Sequence, residues 1–158
     1  MKKKISTWQI GKIKITRIIE GERAGPMFVL PDATPENIIK MPWLQPYFSD
    51  SDGNTIVSIH ALIVETPDKC IMVDTCLGND KERHIPQWNM LQTRFLEDLE
   101  RSGYSAEKID TVLCTHMHTD HVGWNTVLVN NKWEPTFKNA DYLFGRKEWD
   151  HTEKQLDN

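Results

Sequence analysis

The sequence predicts an α/β or α+β fold, in which short strands alternate with helices. Three observations favour this class. Apolar and polar residues alternate near the start of the chain, and residues 55–65 are rich in β-branched side chains, as strands are. Leu91, Phe95 and Leu99 recur at every fourth position, which is the spacing of one helix face. We therefore expect residues 1–145 to form one sheet with at least one helix packed on it.

The first part of the chain contains signals for a hairpin, a loop and a short helix. Alternating apolar residues on both sides of Gly11-Lys12 predict a hairpin whose second strand runs on towards Glu20. The segment from Gly21 to Pro31 has the composition of a loop. Thr34-Pro35-Glu36 predicts the start of a helix, with Thr34 as its cap, and Pro42 ends that helix early.

The middle of the chain predicts two paired strands followed by a loop and a longer helix. Thr55 to Glu65 is the first strand, and Thr66-Pro67-Asp68-Lys69 turns it into the second, Cys70 to Val73. A loop follows from Asp74 to Asp80. The amphipathic stripe then predicts a helix from about Trp88 to Ser102, ended by the following glycine.

The remaining elements are short. Thr111 to Cys114 is an apolar strand, and Asn130-Asn131-Lys132 predicts the turn of another hairpin. Tyr142-Leu143-Phe144 predicts a further strand, and a helix is expected from Arg146 to about Gln155. Because no repeat, low-complexity tract or linker interrupts this order, we expect residues 1–158 to form a single domain.

Composition favours a globular protein, and cysteine usage favours the cytoplasm. Its 158 residues include 39% hydrophobic and 27% charged residues, with a net charge of -4, which leaves no basic footprint for nucleic acid. No apolar run approaches the length that spans a membrane. The three cysteines (Cys70, Cys76 and Cys114) have no paired spacing, so we expect reduced thiols and a cytoplasmic location.

The most informative segment is Thr115-His116-Met117-His118-Thr119-Asp120-His121, which follows the apolar strand at 111–114 directly. Alternate side chains of an extended segment share a face, so His116 and His118 are expected to point the same way. Imidazole nitrogen and carboxylate oxygen are ligands that zinc and similar divalent ions accept. The position also fits, because open α/β sheets place their sites at the carboxyl ends of strands.

This H-x-H-x-D-H pattern resembles the signature of the metallo-β-lactamase superfamily. Ile71-Met72-Val73-Asp74-Thr75 resembles the family's strand that ends in an aspartate ahead of a loop. The segment from Asp120 to Asn125, with Tyr142-Leu143-Phe144-Gly145, is similar to the group that contains acyl-homoserine lactonases and methyl parathion hydrolase. The resemblance implies the N-terminal half of an αβ/βα metallo-β-lactamase sandwich.

The resemblance also implies a site with two metal ions, usually zinc. His116 and His118 would bind the first ion, and Asp120 and His121 the second. Asp74 would steady the metal-site loop without touching metal. A hydroxide held by the ions would attack a small-molecule substrate, and Asp120 would orient that nucleophile or accept its proton.

The remaining metal ligands of the family lie later in its sequence than the segments that this chain matches. The only histidine after His121 is His151, and the residues around it do not resemble the family's later ligand segments. We therefore expect a domain truncated at its C-terminus, whose partner would be a missing C-terminal half or another copy of the chain.

Two functions of different classes follow. The first is a zinc-dependent hydrolase of a lactone, ester or organophosphate, inactive or weak as the 158-residue chain. The second is a non-catalytic relic, or one half of a split enzyme, that retains partial metal binding. A third possibility is a member of the superfamily that acts on a different substrate, such as a thioester, a β-lactam or RNA.

Overall fold

The computed structural model describes residues 5–25 and 30–156 as a mixed α/β structure. Its strands are β1 (Ile5–Ile10), β2 (Ile13–Gly25), β3 (Thr55–Glu65), β4 (Cys70–Val73), β5 (Thr111–Leu113), β6 (Thr126–Val129), β7 (Lys132–Pro135) and β8 (Asp141–Leu143). Its α-helices are α1 (Pro35–Ile39), α2 (Phe95–Arg101) and α3 (Arg146–Leu156). The predicted fold class is confirmed.

The chain divides into two compact units. The larger comprises residues 1–20 and 60–158, and the smaller comprises residues 21–59. Helix α1 of the smaller unit begins as predicted, because the Thr34 hydroxyl accepts a hydrogen bond from the backbone N–H of Asn37 at 3.4 Å. That residues 1–158 form a single domain stays a prediction.

Six of the described strands form one sheet in the order β1-β2-β3-β4-β5-β8. β1 and β2 are antiparallel, as are β3 and β4, whereas β4, β5 and β8 are parallel. The expectation that all of residues 1–145 belong to one sheet is wrong for β6 and β7, which form a separate two-stranded sheet. Its turn residues Asn130 and Asn131 both have positive φ. Positive φ at both central residues is typical of a two-residue hairpin turn.

The parallel strands end in register, and this places the loops that follow them. Val73, Leu113 and Leu143 are neighbours across β4, β5 and β8. The next row inward includes Met72 and Val112, which are fully buried. On the other side of the strands, Leu113 and Leu143 are 39% and 47% exposed, so part of this sheet face is apolar and open in the chain as it stands.

The helix expected from Trp88 to Ser102 is shorter than predicted, since α2 starts at Phe95. The Asn79 side chain accepts the backbone N–H of Thr93 at 2.7 Å and donates to its carbonyl at 3.0 Å. The Leu91 carbonyl accepts the N–H of Asp80. These contacts hold residues 89–94 against the preceding loop, so their backbone groups are not available to a helix.

Other boundaries agree closely with the sequence patterns. The hairpin turn at Gly11, the strands β3 and β4, and the helix end at Gly103 (φ 91°) are confirmed. β2 continues to Gly25, so the loop expected from Gly21 to Pro31 is wrong for residues 21–25, and residues 26–29 lie outside the described part. Within the described residues, no helix combines the length and apolar character that crossing a bilayer requires.

Two loops leave the carboxyl ends of β4 and β5 and touch backbone to backbone. We call residues 74–78 the β4 loop and residues 114–125 the histidine loop. A Cβ atom on Gly123 would overlap the backbone of Leu77, and one on Gly78 would lie 2.6 Å from the Gly123 carbonyl oxygen. Because the atoms in the way are backbone atoms, neither contact can be relieved by a side-chain rotation. Glycine is therefore required at this crossing.

We expect Gly123→Ala to destabilise the protein by about 3 kcal/mol or more, because the added methyl must push the two loops apart. Urea denaturation followed by circular dichroism measures the effect. Gly21→Ala is the matched control, since a Cβ there meets no atom within 4 Å and Gly21 has no positive φ. Its effect should stay within about 1 kcal/mol. Equal stability of the two variants would contradict the close approach.

Candidate metal centre

The candidate site lies where the β4 loop and the histidine loop meet. The Thr75 N–H donates to the His121 carbonyl at 2.8 Å, and the Trp124 N–H donates to the Thr75 carbonyl at 2.8 Å. The Gly123 N–H donates to the Cys76 carbonyl at 2.7 Å. These bonds form a short ladder between segments about 46 residues apart in sequence. The ladder fixes the histidine loop against the carboxyl end of β4.

Asp74 stands at one end of this ladder and binds the histidine loop through its carboxylate. Its Oδ1 accepts the backbone N–H of Thr115 at 2.8 Å, and the Thr115 hydroxyl lies 2.9 Å from Oδ2. Its Oδ2 also lies 2.8 Å from His121 Nδ1. The backbone of Asp74 is in the left-handed region, at φ 57°, a conformation that costs free energy in a non-glycine residue.

The contact with Asp74 decides which nitrogen of His121 can act as a ligand. A carboxylate only accepts hydrogen bonds, so the proton of a neutral His121 is held at Nδ1. Its Nε2 then carries the lone pair that a metal ion needs. An imidazole oriented by a carboxylate in this way is a common arrangement around protein metal sites.

His116 and His118 form a first pair of donors. His116 Nε2 and His118 Nδ1 lie 3.1 Å apart, and their ring centroids lie 4.6 Å apart. The other ring nitrogen of His116 contacts the Thr115 hydroxyl at 3.1 Å. Two nitrogens on a tetrahedral zinc ion are separated by about 3.3 Å, given zinc–nitrogen bonds of about 2.0–2.1 Å. The distance between His116 Nε2 and His118 Nδ1 is close to this value.

Asp120 and His121 form a second pair. Asp120 Oδ2 lies 3.5 Å from His121 Nε2. This distance is also close to the separation of two ligand atoms on a tetrahedral zinc ion. The two pairs adjoin, because the rings of His116 and His121 have centroids 3.9 Å apart. The structure thus brings all four of the H-x-H-x-D-H residues together.

The donor chemistry and the pair spacings fit zinc, but the number of donors is incomplete. Among residues 5–25 and 30–156, no three histidine, cysteine, aspartate or glutamate side chains converge as a metal site. His151 is exposed on helix α3 and does not complete such a group. Because catalytic zinc sites use three protein ligands, each pair is one or more donors short.

The cysteines near the site are buried. Cys76 is fully buried and Cys114 is 4% exposed. Burial raises the pKa of the Cys76 thiol well above its usual range, which keeps it protonated at neutral pH. Such a thiol is a poor nucleophile, since the reactive form is the thiolate.

Several residues around the site make contacts that the sequence did not indicate. Glu148 of α3 accepts the backbone N–H of Met117 at 3.1 Å, and Asn125 accepts the Thr75 hydroxyl at 2.9 Å. Glu20, at 7% exposure, accepts the indole N–H of Trp124 at 2.7 Å. Trp124 is a core residue, stacked on Phe95 with ring centroids 5.8 Å apart. No local pattern marks these roles, because every partner lies far away in the sequence.

Several solved structures share the fold of this chain. A dizinc quorum-quenching lactonase named AidC superposes with a TM-score of 0.68 at 22% identity, over 92% of this chain and 46% of its own. AbOPH, described as a hydrolase of the beta-lactamase superfamily, gives a TM-score of 0.67 at 23% identity, over 97% and 52%. A probable metal-dependent hydrolase from Staphylococcus aureus gives a TM-score of 0.67 at 23% identity, over 93% and 52%.

The chain spans about half the length of these solved relatives. No curated protein matches it. The family model of the metallo-beta-lactamase superfamily matches residues 54–154, which is more than half of the chain and includes both loops of the site. The chain therefore belongs to the metallo-β-lactamase superfamily, as its H-x-H-x-D-H motif indicated.

Proposed function

We propose that this chain is the metal-binding part of a zinc-dependent hydrolase that acts on a lactone, an ester or an organophosphate. One observation carries the proposal. Two donor pairs, His116 with His118 and Asp120 with His121, lie side by side in the loop that follows the parallel strand β5. A carboxylate outside the donor set, Asp74, orients one of them. Solvated loop histidines would not need such an arrangement.

The proposed division of labour follows the two pairs. His116 Nε2 and His118 Nδ1 would hold one divalent ion, and His121 Nε2 with Asp120 would hold a second. Ions bound here would supply Lewis acidity, which makes water a stronger acid near neutral pH and polarises a carbonyl or phosphoryl oxygen. The remaining ligands would have to come from outside the described residues.

Two side chains of this chain would handle protons. Asp74 Oδ2 keeps the proton of His121 on Nδ1, which leaves Nε2 as a donor of electrons. Asp120 turns Oδ2 towards His121, so Oδ1 is the oxygen we assign to accept the proton of the attacking water. The buried thiols of Cys76 and Cys114 take no part.

The substrate class rests on the character of the solved relatives. AidC is described as a quorum-quenching lactonase, and AbOPH as a hydrolase. A small molecule is compatible with the position of the donors, since His118 and Thr119 are exposed to solvent. Because identities of 22–23% establish the fold alone, lactones, esters and organophosphates remain equal candidates.

A second function is favoured by the shortage of donors. We propose that the isolated chain acts as one half of a split site, completed by a C-terminal half or by another copy of the chain. The exposed apolar side chains of Leu113 and Leu143, next to the site on the same sheet face, support this proposal. Apolar surface of this kind is often covered by a partner. A chain that binds metal weakly and never turns over substrate is the alternative.

We expect Asp74→Asn to weaken zinc binding to the purified chain by about ten- to a hundredfold. The amide can keep its oxygen towards Thr115 only by turning an N–H towards His121 Nδ1, which drives the histidine proton to Nε2. Zinc titration gives the affinity, and imidazole resonances in NMR spectra report which nitrogen is protonated. Asp52→Asn, an exposed change in the smaller unit, is the control and should leave both unchanged. Wild-type affinity in Asp74→Asn would contradict this role.

We expect the lone chain to hydrolyse lactones, esters and organophosphates with little or no turnover. A site displaced by about 1 Å loses on the order of a hundredfold in rate. The described residues bring no three donors together as a metal site. Fusing or co-expressing the C-terminal half of a relative should restore activity. That activity should be abolished by Asp120→Ala and unaffected by His151→Ala.

The measurement is hydrolysis of an acyl-homoserine lactone, an aryl ester and an aryl phosphotriester by the lone and the complemented chains. Robust turnover by the lone chain that depends on Asp120 would contradict the split-site proposal. Complemented chains that bind zinc and hydrolyse none of the three substrates would contradict the proposed substrate class.

A further inference from the structure

Glu20 is a buried carboxylate for which the proposed chemistry has no use. It lies in β2, is 7% exposed, and belongs to the larger unit of the chain. Burying a charged group is costly unless hydrogen bonds replace its water. The partners that replace water here are therefore informative about why a glutamate is present.

Three donors from three distant segments converge on this carboxylate. Glu20 Oε2 accepts the backbone N–H of Leu77 at 2.7 Å. Glu20 Oε1 accepts the indole N–H of Trp124 at 2.7 Å and the hydroxyl of Thr93 at 2.9 Å. Leu77 belongs to the β4 loop and Trp124 to the histidine loop. Glu20 thus bridges both loops of the candidate site with one oxygen each.

The bridge stands at the opposite end of the loop ladder from Asp74. Asp74, the first residue of the β4 loop, contacts His121. Glu20 contacts both Leu77, the fourth residue of that loop, and Trp124. Between them lie the backbone bonds from Thr75 and Gly123. The loops are therefore held at both ends by a carboxylate, and only the Asp74 end touches a proposed metal ligand.

The β4 loop needs this restraint because its backbone is unfavourable. Asp74 and Cys76 have φ values of 57° and 53°, which non-glycine residues adopt at a cost. Such conformations persist only where surrounding contacts fix them. The Leu77 N–H bonded to Glu20 follows Cys76 directly, so loss of that bond would release the loop at its strained residue.

We propose that Glu20 is a positioning residue of the metal centre, which holds the β4 loop and the histidine loop in the register that sets Asp74 against His121. The proposal rests on the metal-binding function inferred above for His116, His118, Asp120 and His121. Glu20 itself contacts neither metal nor substrate. Its effect reaches the donors through Leu77 and Trp124.

The test compares Glu20→Gln with a control of similar burial. Glutamine has nearly the same shape, but its amide N–H would face one of the three donors, so at least one bond is lost. Asp98→Asn is the control, because Asp98 is also 7% exposed and carboxylate-bearing, but lies on α2 and pairs with Arg101. Both 158-residue variants are studied at temperatures well below their unfolding transitions.

Two readouts separate positioning from general stability. The first is the NMR resonance of the His121 Nδ1 proton in the metal-free chain, which reports the contact with Asp74. The second is the zinc dissociation constant. We expect Glu20→Gln to shift or broaden the resonance and to weaken zinc binding about tenfold. Asp98→Asn should leave the resonance in place and the dissociation constant within about twofold, even if it lowers the melting temperature as much.

The proposal is overturned if Glu20→Gln retains both the resonance and the affinity, or if Asp98→Asn changes both equally. Failure of wild-type chain to bind zinc would instead contradict the proposed function, while the metal-free His121 resonance would still decide the role of Glu20. Should Glu20→Gln not fold, Glu20→Asp replaces it. That variant keeps the charge but is too short to reach both Leu77 and Trp124, so the same shift is expected, and an unshifted resonance counts against the proposal.

Discussion

The structure around the site depends on the close contact of two backbones at Gly123. Only a residue without a side chain lets the histidine loop approach Leu77 and Gly78. The three backbone hydrogen bonds between the loops exist because of that approach. They in turn bring His121 within 2.8 Å of Asp74. A steric requirement at one position therefore governs the position of a proposed metal ligand.

The hydrogen bonds of this region offset an unfavourable loop conformation. The β4 loop contains two non-glycine residues with positive φ, and carboxylates hold it at both ends. Backbone strain of this kind is often found at functional sites, where a fixed geometry matters more than stability. The contact with Asp74 fixes the orientation of His121 through a hydrogen bond within the protein.

Local patterns were sufficient to predict much of the fold and to indicate the candidate metal ligands. The strands β3 and β4 follow from β-branched runs, and the four candidate ligands stand out by their spacing directly after β5. The start of α2 could not be predicted, because Asn79 ties residues 89–94 to another loop. The role of Glu20 could not be predicted either, since its partners lie 57, 73 and 104 residues away in the sequence. Patterns in sequence report local periodicity, whereas these contacts depend on tertiary structure.

We propose that residues 5–25 and 30–156 provide two adjoining donor pairs and no complete metal site. The most direct measurement is a crystal structure of the zinc-loaded chain with an anomalous difference map at the zinc edge. We expect anomalous density within bonding distance of His116 Nε2 and His118 Nδ1, of His121 Nε2 with Asp120, or of both pairs. Solvent or a neighbouring chain would complete the coordination of each ion. Zinc bound away from the histidine loop, or held by three or more donors of one chain, would contradict this proposal.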